Sequence, residues 1–295
     1  MKTVRTLLLA TVGVAALIGS AFAADMAVRA PAPLPPPPAP LYDWTGFYAG
    51  LNAGFHWGRN CVNTVTTNVF SFSGFEVVGS AIASQGTGST CPDDNGFIGG
   101  GQVGYNWQFT NWVIGLETDI QGASNNNNQD TITNVGTFQF LGLPVSSTGT
   151  ITSEKDLRWL GTVRGRLGFL AAPSFLIYGT GGLAYGKVDA TTTVSEGLRF
   201  SNVNVNAPPF DASGSFSDTR TGWTAGGGVE WMFAPNWSVK AEYLYFDLGQ
   251  VTWSSANLNQ FIIVIPVAAR TTVSASQSTT RFNGNIIRAG INWHF

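Results

Sequence analysis

The sequence predicts an all-β fold: a transmembrane, antiparallel, up-and-down β-barrel of eight strands with short periplasmic turns and long extracellular loops. Three observations carry that expectation. Charged residues make up only 11% of the 295 residues, less than half the roughly 25% of soluble domains. Mean hydropathy is nonetheless only +0.10, and past residue 25 no apolar run approaches the roughly 18 residues that a membrane helix needs. The third is that apolar residues recur at every second position, segment after segment, which is how a membrane-embedded strand reads. Net charge is −2 and the isoelectric point is near 5.6, so there is no basic footprint for nucleic acid. Two His and two Cys leave little material for a metal or thiol site, and no cofactor is expected.

The first 23 residues read as a signal peptide. Lys2 and Arg5 form the positive region, Leu7 to Ile18 the apolar stretch, and Ala21-Phe22-Ala23 a small-residue cleavage site. The apolar stretch is too short for an anchoring helix. Removing residues 1–23 takes Lys+Arg from 15 to 13 against 17 Asp+Glu, a mature net charge of −4. Residues 24–43 form a Pro-rich periplasmic leader, in which seven of the 14 prolines fall between 27 and 41. Such a segment cannot join a β-ladder and favours extended polyproline II, a tether of roughly 45 Å. Residues 44–295 are then the outer-membrane barrel.

The strands follow in order. Trp44–Trp57 puts Phe47, Ala49, Leu51, Ala53, Phe55 and Trp57 on one face, with Tyr48, Asn52 and His56 on the other. Phe97–Phe109 turns Val103, Tyr105 and Trp107 outward and Gln102, Asn106 and Gln108 inward. Thr110-Asn111 turns the chain into Trp112–Gln121, where Trp112, Ile114, Leu116 and Ile120 oppose Glu117 and Asp119. In Leu157–Phe169, Leu157, Trp159, Val163, Leu167 and Phe169 alternate with Arg158, Arg164 and Arg166. Arginines facing lipid would cost about 2–4 kcal/mol each at the midplane, so that face belongs to a polar interior. Phe175–Gly186 is apolar on both parities, and its facing is left open. Thr221–Phe233 sets Trp223, Val229 and Trp231 against Thr224 and Glu230; Trp237–Phe246 sets Val239, Tyr243 and Tyr245 against Lys240 and Glu242; Phe282–Phe295 sets Ile287, Ile291, Trp293 and Phe295 against Arg288, Asn292 and His294.

Connections alternate as an up-and-down barrel requires. Those near 110–111, 170–174 and 234–236 are short; those at 58–96, 122–156, 187–219 and 249–281 are long and rich in Asn, Ser, Thr and Gly. A soluble sandwich would carry polar outer faces, whereas here the aromatic face and the charged face are opposite. Glycines such as Gly50, Gly54, Gly100, Gly104, Gly226 and Gly228 recur on interior positions, where they relieve crowding in a narrow lumen. A dinucleotide-binding role for Gly99–Gly101 or Gly226–Gly228 lacks its βαβ context. Within the fourth long connection, Phe261 to Ile265 is strongly apolar and is expected to extend the wall as a hairpin.

The candidate interior charges are Glu117, Asp119, Arg158, Arg164, Arg166, Glu230, Lys240, Glu242 and Arg288. They could form an ion-selecting constriction or a salt-bridge network that fills the lumen, and the narrowness of eight strands favours filling. Glu117 and Asp119 share a strand face about 7 Å apart, but no nucleophile accompanies them. His56 and His294 lie near opposite ends of their strands, which argues against a shared metal. Cys61 and Cys91, in the first long connection of an exported chain, are expected to pair as a disulfide, with a free pair as the alternative. Ile291, Trp293 and Phe295 alternate outward at the C-terminus, a pattern similar to the signal by which outer-membrane barrels are recognised by their assembly machinery; the interfacial aromatic girdle would produce the same residues.

The Tyr42–Gly54 opening, Tyr178–Gly186, Glu242-Tyr243-Leu244-Tyr245 and the Ala289–Phe295 ending together resemble the Omp25/Omp31-type outer-membrane proteins of alphaproteobacteria, an opacity-type, porin-like family. The resemblance covers residues 42–295. It implies a non-enzymatic surface antigen with an envelope-structural or surface-contact role, with a small-solute porin or a surface ligand (haem, for example) as alternatives. The partners it implies are outer-membrane lipid, the barrel-assembly machinery and a surface ligand or host factor met by the loops. No catalytic residue comes with the family.

Overall fold

Alternation becomes backbone pairing almost throughout. The computed structural model describes residues 42–69, 76–125, 129–140, 142–200, 205–206, 209–264 and 267–295. The expected signal peptide, and the leader up to residue 41, lie outside the described residues. In chain order the elements are β1 (Gly46–Arg59), β2 (Val62–Asn68), α1 (Glu76–Gln85), β3 (Gly88–Thr90), β4 (Asp93–Phe109), β5 (Trp112–Asn125) and β6 (Gln129–Phe140). There follow β7 (Leu143–Ala172), β8 (Phe175–Phe200), β9 (Val205–Asn206), β10 (Phe210–Ala234), β11 (Trp237–Ser254), β12 (Leu258–Val264) and β13 (Val267–His294).

All pairings are antiparallel. β1 pairs with β4, β4 with β5, β5 with β7, β7 with β8, β8 with β10, β10 with β11 and β11 with β13. β13 then pairs back onto β1, from Tyr48↔His294 to Trp57↔Asn285, and the ring closes. Closure leaves no unpaired backbone edge at membrane depth, which lipid would not tolerate. Tight turns join Phe109↔Trp112, Ala172↔Phe175 and Ala234↔Trp237 at the end where Trp44 and Phe295 also lie. Thr110 takes φ 55° in the first of these, the left-handed conformation that a two-residue hairpin demands.

The outer halves differ from a picture of long loops. β7, β8, β10 and β13 run 30, 26, 25 and 28 residues, so much of 122–156, 187–219 and 249–281 is paired strand. β6 pairs with β7, β2 with β13, and β12 with β13 from Leu258↔Ser274 to Val264↔Val267. The apolar run Phe261–Val264 therefore does lie in a hairpin; Ile265 lies outside the described residues. Phe175–Gly186 also receives its facing: Leu176, Tyr178 and Ala184 are buried, while Ile177 and Leu183 point outward.

One assignment is corrected. The β7–β8 register shifts between Leu157 and Trp159, so Arg158 is the extra residue of a β-bulge. A bulge reverses parity: Leu157 is buried inside, and the Arg158 side chain, 57% exposed, leaves the lumen to pair outside with Asp189 at 2.6 Å. A similar shift lies between Asp247 and Gln250, where Gly249 takes φ 84° and its N–H donates to Asp247 Oδ1 at 2.9 Å.

Candidate functional site

Inward side chains stack in layers along the lumen. On β7, reading outward from the turns, they include Leu170, Arg166, Arg164, Thr162, Leu160, Leu157, Lys155, Ser153 and Ile151, all buried. The same succession of apolar, charged and again apolar recurs around the ring.

The innermost layer is an apolar plug of Trp44, Val113, Leu170, Leu176, Tyr178 and Met232. Trp44 precedes β1 and folds into the lumen mouth. Its indole N–H donates to Pro173 O at 3.0 Å, and its backbone N–H to Gln108 Oε1 at 3.0 Å.

Above it lies the charged layer. Four cations, Arg164, Arg166, Lys240 and Arg288, face four carboxylates, Glu117, Asp119, Glu230 and Glu242, and every one is buried. Arg164 donates to Glu242 Oε1 and Asp119 Oδ2, both at 2.9 Å, and also to Glu117. Arg166 reaches Glu230 at 2.6 Å, Lys240 reaches Glu117 at 2.8 Å, and Arg288 reaches Asp119 at 2.9 Å and Glu242 at 2.7 Å. Charges taken out of water need this full pairing to be tolerated. Eight of the nine charges singled out in the sequence thus converge, and Arg158 does not.

Two tyrosines join a network in which the charge pattern alone gave them no part. The Tyr48 hydroxyl donates to Glu117 Oε2 at 2.6 Å and accepts from Arg166 Nη1 at 3.1 Å; the Tyr178 hydroxyl donates to Glu242 Oε1 at 3.2 Å. Their rings fit because the wall beside them has no side chain. A Cβ at Gly104 would stand 2.4 Å from the Tyr48 ring, and one at Gly228 2.9 Å from the Tyr178 hydroxyl.

Ser238, His294 and Glu230 superficially form a hydrolase trio. Ser238 Oγ lies 2.9 Å from His294 Nε2 and donates to Glu230 Oε1 at 2.6 Å, while Glu230 stands 3.7 Å from that same Nε2. In an acyl-transfer relay the acid holds the opposite ring nitrogen, and Ser238 is wholly buried. The group ties β10, β11 and β13 together. His56 faces inward near the other end of β1, and among the described residues no cluster of three His, Cys, Asp or Glu could hold a metal.

Beyond the charges comes a second apolar layer that includes Ile98, Leu157, Leu160, Leu244, Phe246 and Ile286. Above it, past the outer aromatic residues Trp57, Trp159 and Trp223, Asp94 and Lys155 meet at 3.6 Å, both buried, with the Lys155 ammonium 4.8 Å from the centre of the Phe282 ring. Burial pushes the Asp94 carboxyl up and the Lys155 amine down. Lys155 lay in what read as a loop, so only its strand context could have revealed it. The disulfide Cys61–Cys91 is formed, with Cα atoms 4.0 Å apart. Ile291, Trp293 and Phe295 all face outward, and Trp293 packs edge-on against Trp237 with ring centres 4.8 Å apart.

The model of the family described as "Outer membrane protein beta-barrel domain" matches residues 13–295. The chain is 34% identical over 280 residues to the 31 kDa outer-membrane immunogenic protein of Brucella melitensis biotype 1, covering 94% of each. It is 32% identical over 179 residues to the 22 kDa outer membrane protein of Rhizobium leguminosarum bv. viciae, covering 60% of this chain and 64% of that protein. Among solved structures, Neisserial surface protein A is similar over 85% of this chain and 98% of its own, at 11% identity and a TM-score of 0.28.

Proposed function

This chain belongs to the outer membrane protein beta-barrel family, and from that premise we propose that it is a closed-lumen barrel whose work is structural and superficial rather than conductive. Its place is the cell outer membrane, as for the relatives named outer-membrane proteins; the Brucella relative is named as an immunogen, and neither name is that of an enzyme. In this reading the ring of eight strands spans the bilayer, the lumen charges hold the wall in register, and the outer extensions meet the surroundings. Outer-membrane lipid is the partner of the wall, and the row Ile291, Trp293 and Phe295 is the feature that the assembly machinery binds.

One observation carries the reading: a fully buried, charge-balanced layer lies between two apolar layers. An ion path would have to break paired charges and then cross side chains that offer it no polar ligand. A porin would line its path with solvated charge instead. Reconstitution in planar bilayers tests this: no stable conductance steps are expected, and steady steps of about a nanosiemens, as an open aqueous channel gives, would overturn it. Migration of boiled and unboiled samples on gels checks that the protein tested is a folded barrel.

A further inference from the structure

The first long connection places a helix over the outer mouth. α1 contacts β2 and β13 on one side and β6, β7 and β8 on the other. Gly79, Ile82, Ala83 and Gly86 face inward, while Ser80, Ser84 and Thr87 are exposed. Beneath it lie Val145, Ile151, Val194, Leu198 and Ala212. Polar ties to this segment include Asn134 Nδ2 donating to Gln85 O at 2.9 Å and Thr87 O at 3.2 Å, Thr66 Oγ1 donating to Gly86 O at 2.5 Å, Thr66 N–H donating to Thr87 Oγ1 at 3.0 Å and Asn68 Nδ2 donating to Ser80 Oγ at 3.5 Å. Cys61–Cys91 closes the 30-residue span that carries the helix, so the segment can lift without being lost.

Glu196 of β8 sits at the seat of this helix. It is 1% exposed, and a Cβ at Gly86 would stand 2.2 Å from its Oε1, so the carboxyl lies flat against the helix end. Oε2 accepts from Ser274 Oγ at 3.2 Å, and Oε1 has no hydrogen-bond partner among the described residues. No described cation offsets it. β2 carries no ionisable side chain; on β13 the described neighbours Ser274 and Ser276 are neutral, and the Arg270 side chain is not among those described. Arg199 of β8, Asp211 of β10 and Glu154 of β7 are exposed on the outward face. Lys155 is held by Asp94, Asp130 of β6 accepts from Cys91 N, and the α1 residue Glu76 is at the helix's far end.

We propose that α1 is a pH-gated lid on the outer mouth, seated while the Glu196 carboxyl is neutral and loosened when it ionises. Burial pushes that carboxyl from 4.5 up to about 7. A raised carboxyl does not penalise the seated state below pH 4.5; the penalty grows tenfold per pH unit above that and is complete above about 7, at roughly 300-fold. The lid is thus tightest in acid. Lifting it bares the apolar vestibule while the layers below stay shut, so the inference does not depend on whether the lumen conducts.

The test is hydrogen exchange of the Ile82–Gly86 amides in the refolded barrel between pH 5 and 9, normalised to intrinsic rates. Wild-type protection should fall by roughly 75-fold over this range and level off just above pH 7, and Glu196→Gln should keep the acid value throughout. Wild-type protection that ignores pH, or the same fall in Glu196→Gln, overturns the proposal. If Glu196→Gln does not form a heat-modifiable barrel, Ser274→Ala decides. Losing that donor must move the fall to higher pH, and an unmoved midpoint refutes the role of Glu196.

Discussion

Arg158 and Arg164 stand six residues apart on one strand, and simple alternation puts both in the lumen. The bulge separates them, and truncating each to Ala measures the separation. The Arg164 side chain has no exposure and contacts Glu117, Asp119 and Glu242. Removing it leaves three cations against four buried carboxylates. Breaking a buried pair from one side costs about 3–5 kcal/mol, with little relief here because the neighbouring groups already have partners. Arg158 holds Asp189 at 2.6 Å but is 57% exposed, and pairs of that kind contribute about 0.2–1 kcal/mol. Urea unfolding in lipid vesicles, followed by the fluorescence of the 10 tryptophans, should therefore show a large loss for Arg164→Ala and a change within about 1 kcal/mol for Arg158→Ala. Losses of similar size would refute the reasoning. A large Arg158 effect would put that side chain back in the lumen, and a small Arg164 effect would mean the charged layer does not hold the barrel.

Three further outcomes follow from the same packing. Lys155→Met leaves Asp94 buried without its cation and should cost about 3–5 kcal/mol, whereas Lys155→Met combined with Asp94→Asn should be near neutral or more stable; equal losses in the urea series would argue against the pair. Cys61→Ser should destabilise the β2–α1–β3 span by about 3–4 kcal/mol for a loop of this length, seen as faster limited proteolysis between residues 61 and 91, and unchanged cleavage would count against a stabilising disulfide. Phe295→Asp should lower outer-membrane levels in fractionated cells far more than His294→Gln, since one faces outward and the other inward; equal levels would reduce Phe295 to a girdle residue.

The charged layer was legible in the sequence because lipid enforces it. A charge on a strand whose other face is Trp, Ile and Leu has only the interior to go to, and Glu117, Asp119, Arg164, Arg166, Glu230, Lys240, Glu242 and Arg288 all obey. Their pairing was not legible: Arg288 reaches Asp119 across 169 residues, a closeness that only ring closure creates. Tyr48 was read as inward and Tyr178 was left open, but neither was read as a partner of the charges, because the room for their rings depends on the missing side chains of Gly104 and Gly228. Arg158 was misread because one inserted residue leaves composition unchanged and reverses parity.

The outer extensions escaped for a different reason, which β8 shows most plainly because its pairing to β10 runs unbroken from Phe175 to Glu196. Odd positions face outward along this whole length. Up to Tyr185 they include Ile177 and Leu183; from Lys187 they become Asp189, Thr191, Thr193 and Ser195. Even positions stay inward and largely apolar, from Leu176, Tyr178 and Ala184 to Val188, Ala190 and Val194. The backbone continues while the medium outside the wall changes from hydrocarbon to water, and the outer face turns polar while the inner face stays apolar. A search for an apolar outer face ends at residue 186 and takes the remainder for loop. In a barrel taller than its membrane, the loss of the apolar outer face marks the bilayer surface and the persistence of its period marks the strand. Above that surface an inward apolar face needs a cover, which is the part α1 plays with Ile82 and Ala83.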